Sequence, residues 1–114
     1  MRPEERDAAY LWDMLNAARE AHMTVEGATC DTFMDDWLRR RALERTLEVL
    51  GEAARKVSVE FQSTHPDIDW RGLIGQRNVL AHEYGRIDHR LLFEAANVRL
   101  PPLIARLQDL LDQT

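Results

Sequence analysis

The sequence predicts an all-α protein: an up-and-down bundle of four main helices, with the C-terminal helix broken. Three observations lead there. Apolar residues recur at helical spacing along most of the 114 residues, no stretch alternates as a half-buried strand would, and the interruptions carry residues that start and stop helices. A chain of this length makes one domain, residues 1–114, around a single apolar core.

The first helix is predicted from Pro3, a residue favoured at the first helical position, to Gly27, a good terminator. Leu11, Met14, Leu15, Ala18, His22 and Val25 form its buried stripe. A second, longer helix starts near Thr32, where Thr32 and Asp35 suit a capping box. Its inner face reads Phe33, Trp37, Leu43, Leu47, Leu50, Ala54, Val57 and Phe61. Gly51 lies in mid-helix, where it costs about 1 kcal/mol relative to alanine, so it marks a close approach by another helix with Glu52 beside the crossing.

Thr64-His65-Pro66 ends that helix, and Asp69 caps a third that starts at Trp70. Gly85 is placed to end the third helix in a left-handed conformation, and Asp88 to cap the fourth. The short connection makes helices three and four antiparallel neighbours. Leu92, Ala95, Ala96, Leu100, Leu103, Leu107, Leu110 and Leu111 give the last segment its apolar side, and Pro101-Pro102 kinks or restarts it.

Composition narrows the function. The formal charge of -5 excludes a protein that holds nucleic acid by basic excess alone. The acids gather at the N-terminus, however: residues 1–36 carry nine acids against three arginines, whereas residues 71–99 carry five arginines against three acids. Fourteen of the fifteen basic residues are arginine, which suits two-pronged phosphate contacts and fits a compositional bias equally well. The single cysteine, Cys30, rules out an internal disulfide, and His22, His65, His82 and His89 lack helix-face ligand spacing, so no metal site is expected. With no apolar run to span a bilayer and no leader, the expected location is the cytoplasm.

The chemistry concentrates in Arg77-Asn78-Val79-Leu80-Ala81-His82-Glu83-Tyr84, on the third helix. On a regular helix Arg77 and Tyr84 are nearly eclipsed, Asn78 and His82 share a face, and Arg77 and His82 point about 140° apart. Only the arginine's length, an unwound last turn or a second subunit brings guanidinium and imidazole to one substrate. Converged, they fit cleavage of RNA by its own ribose. His82 takes the 2′-hydroxyl proton or protonates the leaving 5′-oxygen, Arg77 stabilises charge on the phosphorus oxygens, and Asn78 orients ring or substrate. The reaction needs no metal and no cofactor. Taken singly, each residue has a plainer role: a cation complementing the helix dipole, or a tyrosine anchoring a half-buried surface.

The surrounding residues raise the pattern above chance. Arg77-x4-His82-x-Tyr84, preceded by Leu50-Gly51-Glu52-Ala53 and Pro66-x-Ile68-x-Trp70 and followed by Ile87-Asp88, resembles the HepT-like branch of the HEPN superfamily of small helical proteins. The resemblance runs from Asp36 to Leu111. It implies a metal-independent ribonuclease toxin of a toxin-antitoxin system, a homodimer with paired motifs at the cleft between subunits. Arg77 and His82 are then catalytic and Asn78 and Tyr84 supporting. It also implies a partner, a minimal nucleotidyltransferase antitoxin that silences the toxin by transferring AMP to Tyr84, adding bulk and phosphate charge beside Arg77. The chain departs from the family pattern at Asp69, where proline is frequent, and at Phe93, where tryptophan is frequent. The alternative is a noncatalytic helical module that binds a nucleotide or the nucleotidyltransferase. A purely structural dimer would leave Asn78, His82 and Tyr84 unexplained.

Overall fold

In a computed structural model, residues 3–113 are described, the side chains of Pro3, Glu4 and Tyr84 excepted. They form six α-helices and one 3-10 turn: α1 (Pro3–Met23), α2 (Cys30–Asp35), α3 (Trp37–Lys56), α4 (Val59–Thr64), α5 (Trp70–His82), the turn Tyr84–Arg86 and α6 (His89–Asp112). Four are long, as the periodicity predicts, and two short ones come from breaks that it does not reveal.

The first break is at Asp36. Its backbone is extended (φ -109°, ψ 94°) and its carboxylate accepts from the Arg39 amide at 3.2 Å, so it caps a new helix. The predicted second helix is therefore divided. The capping box belongs to Thr29 and Thr32, one turn before the expected pair. Because the break resets the helical phase, Trp37 faces out at 61% exposure instead of joining the inner face. The second break is at Ser58, whose hydroxyl accepts from the Phe61 amide at 3.2 Å and donates to Asp7 of α1 at 2.6 Å. Phe61 thus belongs to α4, not to the long helix, and packs against His65 and the edge of Trp70.

Other expectations are corrected more locally. Helix α1 stops at Met23; Gly27 supplies a left-handed turn residue (φ +72°) four positions later. His22 lies at the rim, 3.1 Å from Glu26, rather than in the core. Gly85 has no positive φ; α5 ends instead through Glu83 (φ -126°, ψ 48°) and a 3-10 turn. Asp69 and Asp88 cap α5 and α6 as expected, accepting from the Gly72 amide and from those of Arg90 and Leu91. Helix α6 runs through Pro101 and Pro102 as one helix where a break is predicted. Both prolines are exposed, as are Asn97 and Val98, whose carbonyls lose their usual amide partners, so water can satisfy them.

The long helices pack in the order α5, α3, α1, α6. Leu11, Met14, Leu15 and Ala18 of α1 meet Leu43, Leu47, Leu50 and Ala54 of α3, with Leu92, Ala96, Leu100 and Leu107 of α6 closing the core. Full burial of each leucine contributes roughly 1.5–3 kcal/mol. Phe33 of α2 fills the end of the core, its ring 5.0 Å from that of Phe93. Glu44 of α3, 5% exposed, accepts from Arg41 at 2.8 Å and lies 2.7 Å from Nε2 of His89, the first residue of α6. A carboxylate so buried has to be paired, and this pairing pins the start of α6 to α3.

Helices α5 and α6 do not close the ring. Two adjoining pockets of about 490 and 540 Å³, which share Gln76, Ala95 and Arg99, separate them. The predicted neighbours are walls of an open groove, because α5 is held by α3 and α6 by α1.

Gly51 decides how close α5 comes. A Cβ at Gly51 would stand 2.3 Å from Cβ of Arg77 and 2.6 Å from the Leu73 carbonyl oxygen, contacts that backbone cannot evade. Gly51→Ala should therefore lower stability by about 1–3 kcal/mol in urea unfolding, although alanine is the better helix former. Gly75, exposed on α5 with nothing within 4 Å of such a Cβ, should respond with the opposite sign. Stabilisation by both substitutions would refute the tight crossing.

Candidate active site

The motif occupies the second half of α5 and the segment that follows. Helix α5 runs antiparallel to α3, since α4 returns the chain from the end of α3 to Trp70, and the segment after His82 leads back to Glu44 through His89. At the crossing, Arg77 lies with its Cβ against Gly51 and its guanidinium beside the next residue of α3, Glu52.

The Arg77 side chain is 23% exposed, and its Nε lies 3.0 Å from Oε2 of Glu52. That N–H is not directed at the oxygen, so the contact is an ion pair by distance and not a hydrogen bond, and Nε is buried without an acceptor. Nη1 donates to Oδ1 of Asn78 at 3.2 Å. The other carboxylate oxygen of Glu52 accepts from Nη2 of Arg55 at 2.6 Å. The hydrogen bond from Arg55 holds the Glu52 carboxyl below its ordinary range, and the charges of Arg55, Arg77 and Lys56 act in the same direction against desolvation. The result is a chain of charge, Arg55–Glu52–Arg77–Asn78, joining α3 to α5.

The guanidinium opens into a groove of about 470 Å³ between α1 and α3, lined by Tyr10, Glu48, Lys56 and Arg77 among others. His82 stands elsewhere. It is the last residue of α5, exposed, and takes no hydrogen bond or ion pair among the described residues. Since the helix is unbroken from Trp70 to His82, the separation of about 140° between Arg77 and His82 holds in the structure. Within one chain the two side chains leave the helix in different directions. Asn78 and His82, four residues apart, do share a face, and both are exposed.

Tyr84 lies beyond the helix, at the start of the 3-10 turn. The near-eclipse with Arg77 expected of a regular helix is therefore lost at Glu83. The Tyr84 side chain lies outside the described residues. Its neighbours Glu83, Gly85 and Arg86 are exposed, and Arg86 donates to Glu83 at 2.6 Å.

Sequence reasoning places Glu52 at a crowded crossing but not against Arg77, and it overlooks Arg55 and Lys56. The Glu52–Arg55 spacing of three was a usable signal. The Glu52–Arg77 pair spans two helices and becomes visible only once Gly51 is placed.

Known proteins resemble this chain along most of its length. The family model described as "Ribonuclease HepT-like" matches residues 14–110. "Probable ribonuclease HepT" of Thermococcus cleftensis is 30% identical over 86% of this chain and 93% of its own length. "Putative RNase MJ1380" of Methanocaldococcus jannaschii is 30% identical over 83% of this chain and 87% of its own, and "Putative RNase TTE0752" of Caldanaerobacter subterraneus is 29% identical over 91% and 93%. No solved structure matches the chain.

The lowered pKa of Glu52 has a pH signature. A carboxyl whose folded pKa is depressed contributes stability above its unfolded pKa and loses it as pH falls through the folded value. The stability gap between wild type and Glu52→Gln, measured by urea unfolding, should be present at neutral pH and vanish on acidification past the ordinary carboxylate range. A gap that widens on acidification would show that the carboxylate is not stabilised in the fold.

Proposed function

We propose how this chain, which belongs to the HepT-like ribonuclease family, cleaves RNA: as a metal-independent endoribonuclease whose site is composed from two copies of the Arg77-x4-His82-x-Tyr84 motif. The observation that carries the reading is the pair of directions on α5. Arg77 is fixed toward α3 by Gly51 and Glu52, while His82 stands free at the helix end. A site that needs both groups on one phosphate is completed by a second subunit.

In that site the ribose 2′-oxygen attacks the adjacent phosphorus. Its bond to phosphorus forms as the bond to the 5′-oxygen breaks, leaving a 2′,3′-cyclic phosphate and a 5′-hydroxyl. One His82 accepts the 2′-hydroxyl proton and the His82 of the second copy protonates the departing 5′-oxygen. Arg77 faces the negative charge that grows on the non-bridging oxygens, the term that is usually largest in such catalysis. Asn78 keeps the guanidinium in place through its Oδ1 and shares a face with His82.

Dimerisation draws support from the apolar surface. Trp12, Trp37 and Leu38 are exposed, and Leu91 and Val98 of α6 are 63% and 71% exposed along the open groove beside α5. Among the described residues no helix is long and apolar enough to cross a membrane. We assign the chain the role of a cytoplasmic toxin in a toxin-antitoxin pair. Its partner, a minimal nucleotidyltransferase antitoxin, transfers AMP to Tyr84, the breaking bond lying between the α- and β-phosphates of ATP and pyrophosphate leaving. Position 84 suits modification because the residues around it are exposed. The added phosphate competes with RNA for arginine, and the added nucleoside occupies the substrate's path.

Two experiments test the proposal. Purified protein that sediments as a dimer should cleave cellular RNA in the presence of chelator, and His82→Ala or Arg77→Ala should slow it by about 10²-fold or more. Equal cleavage by wild type and His82→Ala would remove the imidazole from the mechanism. Co-expression with the nucleotidyltransferase should add one AMP mass, or a whole multiple, to wild type and none to Tyr84→Phe. An adduct that persists on the Tyr84→Phe chain would move the modification to another residue.

A further inference from the structure

The charges around Glu52 extend beyond the motif. Arg55 is bound to one carboxylate oxygen at 2.6 Å and Arg77 stands 3.0 Å from the other. Lys56 is close enough to act on the same carboxyl and lies 5.9 Å above the ring of Tyr10. Three cations thus gather around one carboxylate at the C-terminal end of α3, leaving a local positive excess on a chain of net charge -5. The Arg55 side chain is 53% exposed, and with one edge spent on Glu52 its other donors face solvent.

Because α5 runs antiparallel to α3, Arg55 and Lys56 lie beyond Arg77 on the side away from His82. A strand whose scissile phosphate reaches Arg77 would pass over them on leaving the site. The rest of the groove limits how far this surface goes. Asp13, Glu20 and Glu48 line its other part with Arg45, and Asp7 of α1 is engaged by both the amide and the hydroxyl of Ser58. Apart from Arg45, the bases that line the groove are Lys56 and Arg77.

We propose that Arg55 and Lys56 form a subsite for a backbone phosphate of single-stranded RNA next to the one held by Arg77. Glu52 is its positioning residue, fixing both guanidiniums with one carboxylate. The ligand's identity rests on the ribonuclease reading above; the geometry of the subsite does not. Arginine is suited to the task because its planar fork spends one edge on the carboxylate and keeps another for a phosphate. Lys56 adds a point charge, held over the ring of Tyr10.

The test uses a fluorescent single-stranded oligonucleotide of 2′-O-methyl RNA, which cannot be cleaved, so binding is read apart from catalysis. Anisotropy titrations of the full chain at several salt concentrations compare wild type with Arg55→Gln/Lys56→Gln, and with Arg90→Gln as a control that removes charge at the opposite end of α3. The double variant should bind several-fold more weakly. Its plot of log affinity against log salt should be shallower by about 0.7 for each phosphate that the variant no longer neutralises. Glu52→Gln should also weaken binding, with Glu52→Asp recovering part of it. Unchanged affinity and slope in the double variant, or an equal loss in Arg90→Gln, would overturn the subsite. If wild type binds with the expected slope but cleaves nothing, the subsite stands and the ribonuclease mechanism falls.

Discussion

The structure turns on a missing side chain. At Gly51 the backbone of α3 lies against Cβ of Arg77 and the carbonyl of Leu73, an approach that any β-carbon would forbid. This contact sets the distance between α3 and α5, places Glu52 beside Arg77, and thereby fixes the direction of the guanidinium. The free energy that glycine forgoes as a helix former, about 1 kcal/mol, is offset by packing that no other residue permits. Stability and the site's geometry therefore meet at one position. A β-carbon here would favour the helix and yet force the crossing apart, moving Arg77 with it, so packing outweighs propensity at this position.

Two kinds of electrostatics divide the molecule. Glu44 is buried and paired with Arg41 and His89, and its effect is to fix where α6 begins. Glu52 is part-exposed and gathers cations from two helices, so its effect is on the field at the surface. The first is a matter of fold; the second concentrates positive potential in an acidic protein, and does so within reach of Arg77. That positive charge is local, on a chain whose net charge is -5.

Much of this was legible in the sequence. The stripes of Leu11, Met14 and Leu15, of Leu43, Leu47 and Leu50, and of Leu92, Ala96 and Leu100 found the core because burial imposes the helical period directly. Asp69 and Asp88 were readable because a cap needs only a short side chain and a nearby amide. Asp36 caps by the same chemistry but was hidden, since the apolar period continues on both sides of it and conceals a change of phase. Gly85 misled because a glycine after a helix commonly adopts a left-handed cap, whereas here the chain tightens into a 3-10 turn. At the site, the motif and the crossing at Gly51 were visible as local spacing. The neighbours of Arg77 on α3 were not, because contact between distant segments leaves no trace in spacing.

The open side of the bundle has a dynamic consequence. Helix α5 packs mainly on α3, with Phe61 of α4 against Trp70 at its start, and among its described residues only Trp70 and Leu80 are buried, one near each end. Local opening free energies follow the extent of burial, so the helix that bears Arg77 and His82 is also the long helix with the least to hold it. The motif thus stands on the least buried of the long helices, with an open groove along one side.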